Sequence, residues 1–515
     1  MAIEDALASW LADQRWFAGK GQGLHDLAIV ADTQLVAGDP ELRHLVVAVS
    51  HATSVDYYQI LVGLRRRLPG RLKHARIGPW TAPDGSGTAD GASETAGGKV
   101  AYDALHDADL TKPLLAAIAA NDDIGSLRMR SLPEASFTTG LDSLVLGAEQ
   151  SNTSLVFGEE SILKVFRRLS PGPNPDLEVT TALARFGSTR VAEPLGWMET
   201  RLEGVPTSLA ILSRYLRLAT EGWTLAATSV RDLYAAVEDA TARSQGSPSS
   251  PSAGGGPDTI APFAIYAGGG DSAPGGQRGV RGVVPPEDNR PVRVLAADAG
   301  GDFAGEARRL GTATAEVHAD LAAAFGTDQL GASAISELTE QMFRKLDLAV
   351  AAVPELAKHV DMITDAYSEL AKLPGPFPVQ RVHGDYHLGQ VLRTENGWVV
   401  LDFEGEPATP LAQRRARSSP LRDVAGMLRS FDYAARHQLI GHPEQAAVTD
   451  AARDWVRRNA GAFCAGYAEG GGLDPAANHV LLRALQLDKA VYEVLYEARH
   501  RPSWLPIPLE SMAEF

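Results

Sequence analysis

Apolar and polar residues follow two different periods in the N-terminal part of the chain. Residues 2–16 carry apolar side chains at helical spacing, among them Ile3 and Leu7, which predicts a short helix. Between residues 44 and 66 the apolar positions recur every second residue, as at Tyr58 and Ile60, which predicts strands with one buried face. The N-terminal region is therefore predicted to be a small α+β unit.

The periodicity changes in the second half of the chain. From Phe303 to about Leu373, and again over residues 443–500, Ala- and Leu-rich sequence repeats its apolar positions with the period of an α-helix, which predicts a mainly helical region. The preceding segment, 244–302, is rich in Gly, Pro and Ser and has few large apolar residues. Because such a segment cannot offset its ordering entropy by burial, it is predicted to be a flexible insertion.

Composition and charge restrict the classes of function. The 515 residues are 44% apolar and 22% charged with a mean hydropathy of -0.11, which is typical of a soluble globular protein with several lobes. The 48 basic against 64 acidic residues give a net charge of -16, which repels nucleic acids and anionic membranes. Cys464 is the single cysteine, which excludes an intrachain disulfide, and neither an export signal nor a membrane span is expected. We expect a cytoplasmic enzyme without nucleic-acid or membrane partners.

The most informative stretch is residues 381–407, RVHGDYHLGQVLRTENGWVVLDFEGEP. Two apolar or β-branched runs flank the dipeptide Asn396-Gly397, which predicts a loop, a strand, a turn and a second strand. Folding of that hairpin brings Gln390 and Asp402 together at its open end. The hairpin therefore offers two oxygen ligands at one place.

Asp385 precedes Gln390 by five positions and adds a carboxylate to this site. Phosphoryl transfer requires a carboxylate that accepts the proton of the attacking hydroxyl, and hard oxygen ligands that hold magnesium against the phosphates. Protein kinases place an Asn five positions after the catalytic Asp and then the sequence Asp-Phe-Gly. Here Gln390 and Asp402-Phe403-Glu404 depart from that pattern and resemble the branch with aminoglycoside phosphotransferases and sugar kinases. We predict Asp385 as the base and Gln390 with Asp402 as magnesium ligands.

An upstream segment supplies candidates for nucleotide binding. Residues 146–168 predict strands around a polar turn, followed by a strand that carries Lys164 among apolar residues. A lysine in such a strand is costly unless its ammonium has a partner, and the candidate is Glu178, in the first turn of a helix after Pro175. The turn lacks a Gly-rich phosphate loop, so phosphates are expected to meet backbone amides and hydroxyls at Ser151, Asn152 and Thr153.

Several further residues are predicted to complete the site. A buried strand leads into a polar crossover near Ser213 to Tyr215, where a kinase places the hinge that binds adenine. His383 and His387 lack the Glu of a zinc-binding helix and are predicted to orient the loop. Asp423 and Arg422 are predicted to brace it. His387 and Glu404 are also candidates for contacts with the acceptor substrate.

These motifs, spread over most of the chain, resemble those of one family: the actinobacterial maltokinases, relatives of aminoglycoside phosphotransferases with glucosamine kinases as a sister group. The first and last matching segments are specific, because aminoglycoside kinases generally lack them. The insertion at 244–302 has no counterpart in the family. The matching segments are QRWFAGKG at 14–21, LGAEQSNTS at 146–154, LKVFRR at 163–168, LGTATAEVHADLA at 310–322, HGDYHLGQ at 383–390, DFEGEP at 402–407 and DKAVYEVLYEARHRPSWLPIP at 488–508.

The resemblance implies an α+β architecture: a bilobal, eukaryotic-protein-kinase-like fold with an N-terminal cap subdomain and a mainly helical C-terminal lobe. The implied divisions are a cap over residues 1–105, a nucleotide-binding subdomain over 106–216 and a helical lobe over 217–515 that contains the insertion. The implied reaction uses ATP and Mg²⁺ to phosphorylate the anomeric hydroxyl of maltose for an α-glucan or glycogen-like pathway. A monomer or weak homo-oligomer is expected.

The resemblance also places the sugar under the C-terminal helix. Four residues at helical spacing share one face there, and the alternative for the two tyrosines is packing in the core. Two other functions stay open: phosphorylation of glucosamine at its 6-hydroxyl, and a catalytically silent, kinase-like binding module. The four residues assigned to the sugar are Lys489, Tyr492, Glu493 and Tyr496.

Overall fold

A computed structural model describes most of the chain. The described residues are 3–17, 19, 26–51, 54–80, 98–147, 151–245, 302–406, 409–441 and 445–515. The predicted insertion at 244–302 lies outside the described residues except at its two ends. Among the helices in these ranges, none is long and apolar enough to cross a membrane.

The N-terminal unit consists of a helix packed on an antiparallel sheet. The sheet has the order β1-β2-β3-β5-β4, with a further strand, β11 (Arg168–Leu169), on β3. The predicted helix and strands are confirmed, but β3 is buried on both faces from Tyr58 to Leu64 because α1 covers one face and a second sheet covers the other. The elements are α1 (Ile3–Asp13), β1 (Asp26–Val36), β2 (Glu41–Ser50), β3 (Val55–Arg65), β4 (Arg76–Pro79) and β5 (Val100–Asp103).

The second sheet is also antiparallel and carries the strands predicted for the nucleotide. Its seven strands follow the order β6-β7-β12-β13-β10-β9-β8. The elements of this region are α2 (Ala108–Ala120), β6 (Asp123–Ile124), β7 (Leu127–Ser131), β8 (Ser143–Val145), β9 (Thr153–Phe157), β10 (Ser161–Val165), β11 (Arg168–Leu169), α3 (Pro175–Arg185), β12 (Pro194–Leu202) and β13 (Val205–Arg214).

The two sheets are joined directly after β10. There the chain leaves the second sheet, and β11 pairs with β3 of the first sheet, Arg168 opposite Tyr58 and Leu169 opposite Tyr57. Gln59 reinforces the junction, since its side-chain Nε2 donates to the carbonyl of Phe166 at 2.7 Å. The N-terminal unit is therefore hydrogen-bonded to the strand connection that follows Lys164.

The C-terminal region is mainly helical, as predicted. The close approach of two helices depends on glycine, because a Cβ at Gly311 would lie 2.1 Å from the carbonyl oxygen of Phe463. The elements are β14 (Thr220–Glu221), α4 (Gly222–Gln245), α5 (Ala304–Phe325), β15 (Thr327–Leu330), α6 (Ala332–Ala352), α7 (Val360–Ala371), β16 (Phe377–Gln380), β17 (Val391–Thr394), β18 (Gly397–Val400), α8 (Leu411–Arg414), α9 (Leu421–Arg436), α10 (Gln445–Glu469), α11 (His479–His500) and α12 (Pro506–Met512).

The hairpin that carries the predicted site is formed by β17 and β18, with β14 on the outer side of β17. Its turn lies one residue earlier than predicted, because Thr394 pairs with Gly397 and leaves Glu395 and Asn396 between the strands. The hydroxyl of Thr394 accepts the amide of Asn396 at 3.2 Å and donates to the carbonyl of Gly397 at 2.9 Å. These local hydrogen bonds favour the observed register.

Candidate active site

The loop between β16 and β17 is held by a buried carboxylate on α9. Asp423 accepts the backbone amides of His383 at 2.7 Å and Gly384 at 2.9 Å. His318 on α5 lies 2.9 Å from the same carboxylate through Nε2. The prediction that Asp423 braces the loop is confirmed. Gly426 lets the loop approach the helix, because a Cβ there would lie 2.6 Å from the carbonyl oxygen of Tyr386.

Both histidines of the loop orient its backbone, as predicted. His383 contacts the carbonyl of Leu401 through Nε2 at 2.7 Å, which links the loop to the end of β18. His387 accepts the amide of Gly389 at 3.1 Å and caps the turn before Gln390. Burial lowers the pKa of His387 below its usual value. A neutral ring with an acceptor nitrogen suits this capping role.

Asp385 lies at the tip of this loop and faces α11. Its Oδ1 lies 3.3 Å from the ammonium of Lys489, which also contacts Glu406 at 2.7 Å. Burial acts to raise the pKa of Asp385, but Lys489, His387 and His383 together lower it below its usual value. The carboxylate is therefore ionised at neutral pH and can accept a proton.

The open end of the hairpin brings together the two residues predicted to bind magnesium. The amide of Gln390 donates to Asp402 Oδ2 at 3.4 Å. Asp402 has a positive φ of 62°, a conformation uncommon outside glycine. The loop after β18 therefore turns sharply and returns toward the second sheet.

Lys164 projects from β10 into a group of three carboxylates. Its ammonium lies 2.6 Å from Asp402, 2.7 Å from Glu404 and 3.2 Å from Asp176. The prediction that Glu178 is its partner is wrong, because Glu178 forms ion pairs with Arg381 at 3.1 Å and with Arg415.

The cap of helix α3 explains which acidic residue meets Lys164. Asn174 Oδ1 accepts the amide of Asp176 at 2.8 Å and fixes the first turn of α3. Two residues further along a helix, a side chain points roughly 200° around the axis. Asp176 therefore faces the site, where it also accepts the amide of Phe403 at 3.0 Å, while Glu178 faces a groove of about 400 Å³ on the other side of α3.

Three carboxylates form a group with metal-binding potential. Oxygen atoms of Asp176, Asp402 and Glu404 lie within 4.8 Å of one another. Burial acts to raise the pKa of both Asp402 and Glu404, but Lys164 brings the pKa of Asp402 below its usual value, whereas that of Glu404 remains raised. The donor set, with the neighbouring Gln390, consists of hard oxygen atoms and fits Mg²⁺. Glu404, assigned from the sequence to the acceptor, lies instead with Lys164.

The polar turn before β9 is held from two sides. Asn152 is buried and donates to Glu404 Oε1 at 2.9 Å. Thr153 is buried, and its hydroxyl accepts Nε of Arg167 at 2.8 Å. Ser151 is exposed. The side chains of Asn152 and Thr153 are therefore engaged within the protein, whereas Ser151 is exposed. The contacts of phosphates with the backbone amides and hydroxyls of this turn stay a prediction.

The predicted adenine-binding hinge lies at the end of β13. Ser213 belongs to this strand, opposite Ile162 of β10, and is half-buried. Tyr215 follows it, and its backbone amide donates to the carbonyl of Glu160 at 3.0 Å. Ser213 therefore lies on the same sheet as Lys164, and Tyr215 lies just beyond the end of this strand.

The four residues assigned to the sugar on α11 lie in three different environments. Lys489 and Tyr492 face a small cavity beside Asp385, whereas Glu493 is buried and pairs with Arg429 at 2.7 Å. Tyr496 is exposed and stacks on Tyr492 with ring centroids 6.2 Å apart. Glu493 therefore belongs to the helix packing, in contrast to the sequence-based assignment, and the tyrosines are not core residues.

The cavity beside Asp385 has charged walls. It encloses about 20 Å³ in this structure. Of its other charged residues, the sequence pointed only to Arg422, as a brace of the catalytic loop, and the Arg422 guanidinium lies 3.6 Å from Glu406. Glu406 and Asp488 were not selected, although they lie within the family-like segments. The walls are formed by Lys345, Gly384, Tyr386, Glu406, Arg422, Gly426, Leu485, Asp488, Lys489 and Tyr492.

Comparison with known proteins gives two domain matches. Residues 10–107 match the maltokinase N-terminal cap domain, and residues 276–413 match the phosphotransferase enzyme family. The first match begins near the end of α1 and covers strands β1 to β5. The second match begins at residue 276, within the segment predicted as an insertion without a counterpart, and covers the catalytic loop and the hairpin.

Glucosamine kinases are among the proteins that are similar to this chain over most of its length. One from Streptacidiphilus jiangxiensis is 29% identical over 71% of this chain and 72% of the relative, and one from Mycolicibacterium smegmatis is 27% identical over 70% and 76%. A solved glucosamine kinase, in complex with glucosamine, ADP and inorganic phosphate, has a TM-score of 0.59 and 25% identity over 99% of this chain and 98% of its own. The chain is a phosphotransferase with a kinase-like fold that combines a maltokinase N-terminal cap domain with a domain of the phosphotransferase enzyme family.

Proposed function

We propose that the chain is an ATP-dependent sugar kinase that phosphorylates the anomeric hydroxyl of maltose. The observation that carries a kinase function is the arrangement of Asp385 beside a cavity and of Lys164 among Asp402, Glu404 and Asp176. A scaffold without activity has no need for this group of largely buried and half-buried charges. The retained charges therefore support an active enzyme over a silent binding module.

The two ends of the site suit the two substrates. Lys164 and the carboxylates lie beside the polar turn at Asn152, where they suit a nucleotide with bound magnesium. Asp402, Gln390 and Glu404 would hold the metal, which neutralises phosphate charge when bound. Asp385 lies on the side of α11, where an acceptor hydroxyl can donate its proton to the carboxylate.

The charges around the cavity support a neutral acceptor. Asp488 is paired with Lys345 at 2.8 Å, and Glu406 is paired with Lys489 at 2.7 Å and with Arg422 at 3.6 Å. An ammonium group on the acceptor would meet the three cations Lys345, Arg422 and Lys489. The carboxylates of Asp488 and Glu406 are already paired with these cations. A neutral disaccharide instead finds hydrogen-bonding groups together with the ring of Tyr492, which favours maltose.

The cavity has to widen before a sugar binds. Its volume of about 20 Å³ holds about one water molecule. Lys489 lies against one side of Asp385, since its ammonium bridges this residue and Glu406. We infer that acceptor binding displaces Lys489 from Asp385, after which the ammonium can still neutralise Glu406.

The second candidate is glucosamine phosphorylated at its 6-hydroxyl. The named relatives favour it, because two similar proteins and a similar solved structure are glucosamine kinases. Initial rates with ATP and Mg²⁺ over a range of maltose or glucosamine concentrations separate the candidates. We expect a higher kcat/KM for maltose than for glucosamine. The opposite result would identify glucosamine as the substrate and leave the kinase assignment intact.

A further inference from the structure

Arg167 is a buried arginine between the N-terminal sheet and the second sheet, and none of the roles above uses it. It is 1% exposed and lies on the connection between β10, which carries Lys164, and β11, which joins the first sheet. A buried guanidinium requires partners, since an uncompensated charge in this position is strongly destabilising. The partners of Arg167 therefore indicate what the residue does.

Two residues of the cap hold Arg167. Asp103, at the end of β5, forms an ion pair with its Nη2 atom. Trp16 lies against the guanidinium with its ring centroid 4.8 Å away. Both residues lie within the segment that matches the cap domain. Because a guanidinium is planar, a carboxylate and an aromatic ring together fix its position and its orientation.

The third contact of Arg167 lies on the nucleotide side. Its Nε atom donates to the hydroxyl of Thr153 at 2.8 Å. The next residue toward the turn, Asn152, donates to Glu404 at 2.9 Å. Thr153 is the first residue of β9 and pairs with Val165 of β10. The next residue of β9, Ser154, pairs with Lys164. The turn is therefore held by the cap at one residue and by the carboxylate group at the next.

We propose that Arg167 is a positioning residue through which the cap domain fixes the turn at residues 151–153 and so sets the affinity for the nucleotide. The inference rests on the proposed function only in taking a nucleotide as the phosphoryl donor. A turn that is already ordered binds phosphates without further loss of conformational entropy. The acceptor cavity lies beside α11 and has no wall residue in contact with Arg167, so acceptor binding is independent of this contact.

The test compares variants on both sides of Arg167. Trp16→Leu removes the ring on the cap side, and Thr153→Val removes the hydroxyl with little change of shape. Each is expected to raise the Kd for ADP, measured by calorimetry, and the KM for ATP by about tenfold. A tenfold change in Kd corresponds to about 1.4 kcal/mol of binding free energy. The KM for the acceptor is expected to stay unchanged. Thr153→Ser retains the hydroxyl and is expected to restore nucleotide affinity.

Arg168→Met is the matched control. Arg168 is the neighbouring residue at the same sheet junction, and it pairs with Asp56 of the cap at 2.7 Å without contacting Thr153. Its replacement is expected to leave the Kd for ADP at the wild-type value. An equal loss of affinity in Arg168→Met would show a general effect of the junction and would overturn the role of Arg167.

The double variant Trp16→Leu/Thr153→Val distinguishes positioning from direct contact. If the cap acts through Arg167, the second substitution adds little, and the Kd for ADP stays near that of either single variant. Independent effects, in which the two increases in Kd multiply, contradict the proposal. Wild-type affinity in both single variants contradicts it as well. Failure of the wild-type protein to bind ADP would instead contradict the proposed kinase function.

Discussion

Replacement of Asp176 by asparagine tests the ion pair that the structure assigns to Lys164. Asp176 is buried and accepts the ammonium of Lys164 at 3.2 Å and the amide of Phe403 at 3.0 Å. The asparagine side chain would keep a neutral acceptor for one of these donors but would lose the charge. A hydrogen bond to a charged group contributes roughly 1.5 to 3 kcal/mol, so kcat/KM for ATP should fall by about tenfold to a hundredfold.

The assay measures kcat/KM for ATP at saturating acceptor, with thermal melting to establish that the variant is folded. The control is Glu178→Gln, because Glu178 is two residues away and pairs with Arg381 and Arg415. Partly exposed ion pairs contribute about 1 kcal/mol or less, so this variant should stay within roughly fivefold of the wild type. A larger loss in Glu178→Gln than in Asp176→Asn would refute the assignment of Asp176.

Three further substitutions test the remaining parts of the site. Asp385→Asn should lower kcat by about 100-fold or more while ADP binding, measured by calorimetry, stays unchanged, since only the proton acceptor is lost; an active variant would contradict its role as the base. Lys489→Met should move the acidic limb of the kcat/KM profile to higher pH, because Lys489 lowers the pKa of Asp385 and its removal lets protonation begin at higher pH. The same limb should stay in place in Lys345→Met, a lysine of the same cavity that pairs with Asp488. Asp402→Ala should raise the magnesium concentration for half-maximal rate by about tenfold or more, as a metal with few protein ligands loses its main carboxylate, and an unchanged titration would exclude Asp402 as a ligand.

The parts of the fold with strong periodicity could be predicted from the sequence. The N-terminal helix, the strands around Lys164 and the hairpin after Gln390 follow patterns set by neighbouring residues, and each is present. Burial of both faces of β3 could not be predicted, because it depends on the second sheet, which is remote in sequence. The turn of the hairpin was displaced by one residue through the hydrogen bonds of Thr394.

The site was predictable where spacing along the chain determines proximity, as for Gln390 and Asp402 at the two ends of one hairpin. The partner of Lys164 depended on the rotation of α3, since Asp176 and Glu178 both lie in its first turn and the packing of this helix selects between them. Glu493 shares its helix face with Lys489 by spacing alone, yet it pairs with a buried arginine on α9. Such pairings between distant elements require the packed structure.

We propose that the protein transfers a phosphoryl group from ATP to the anomeric hydroxyl of maltose at the site of Asp385. The most direct measurement is NMR of the product formed from ATP, Mg²⁺ and maltose by the wild-type protein. We expect a phosphorus resonance coupled to the anomeric proton of the reducing glucose unit, and no such product with Asp385→Asn. Phosphorylation at another carbon, or turnover of glucosamine with none of maltose, would contradict this proposal.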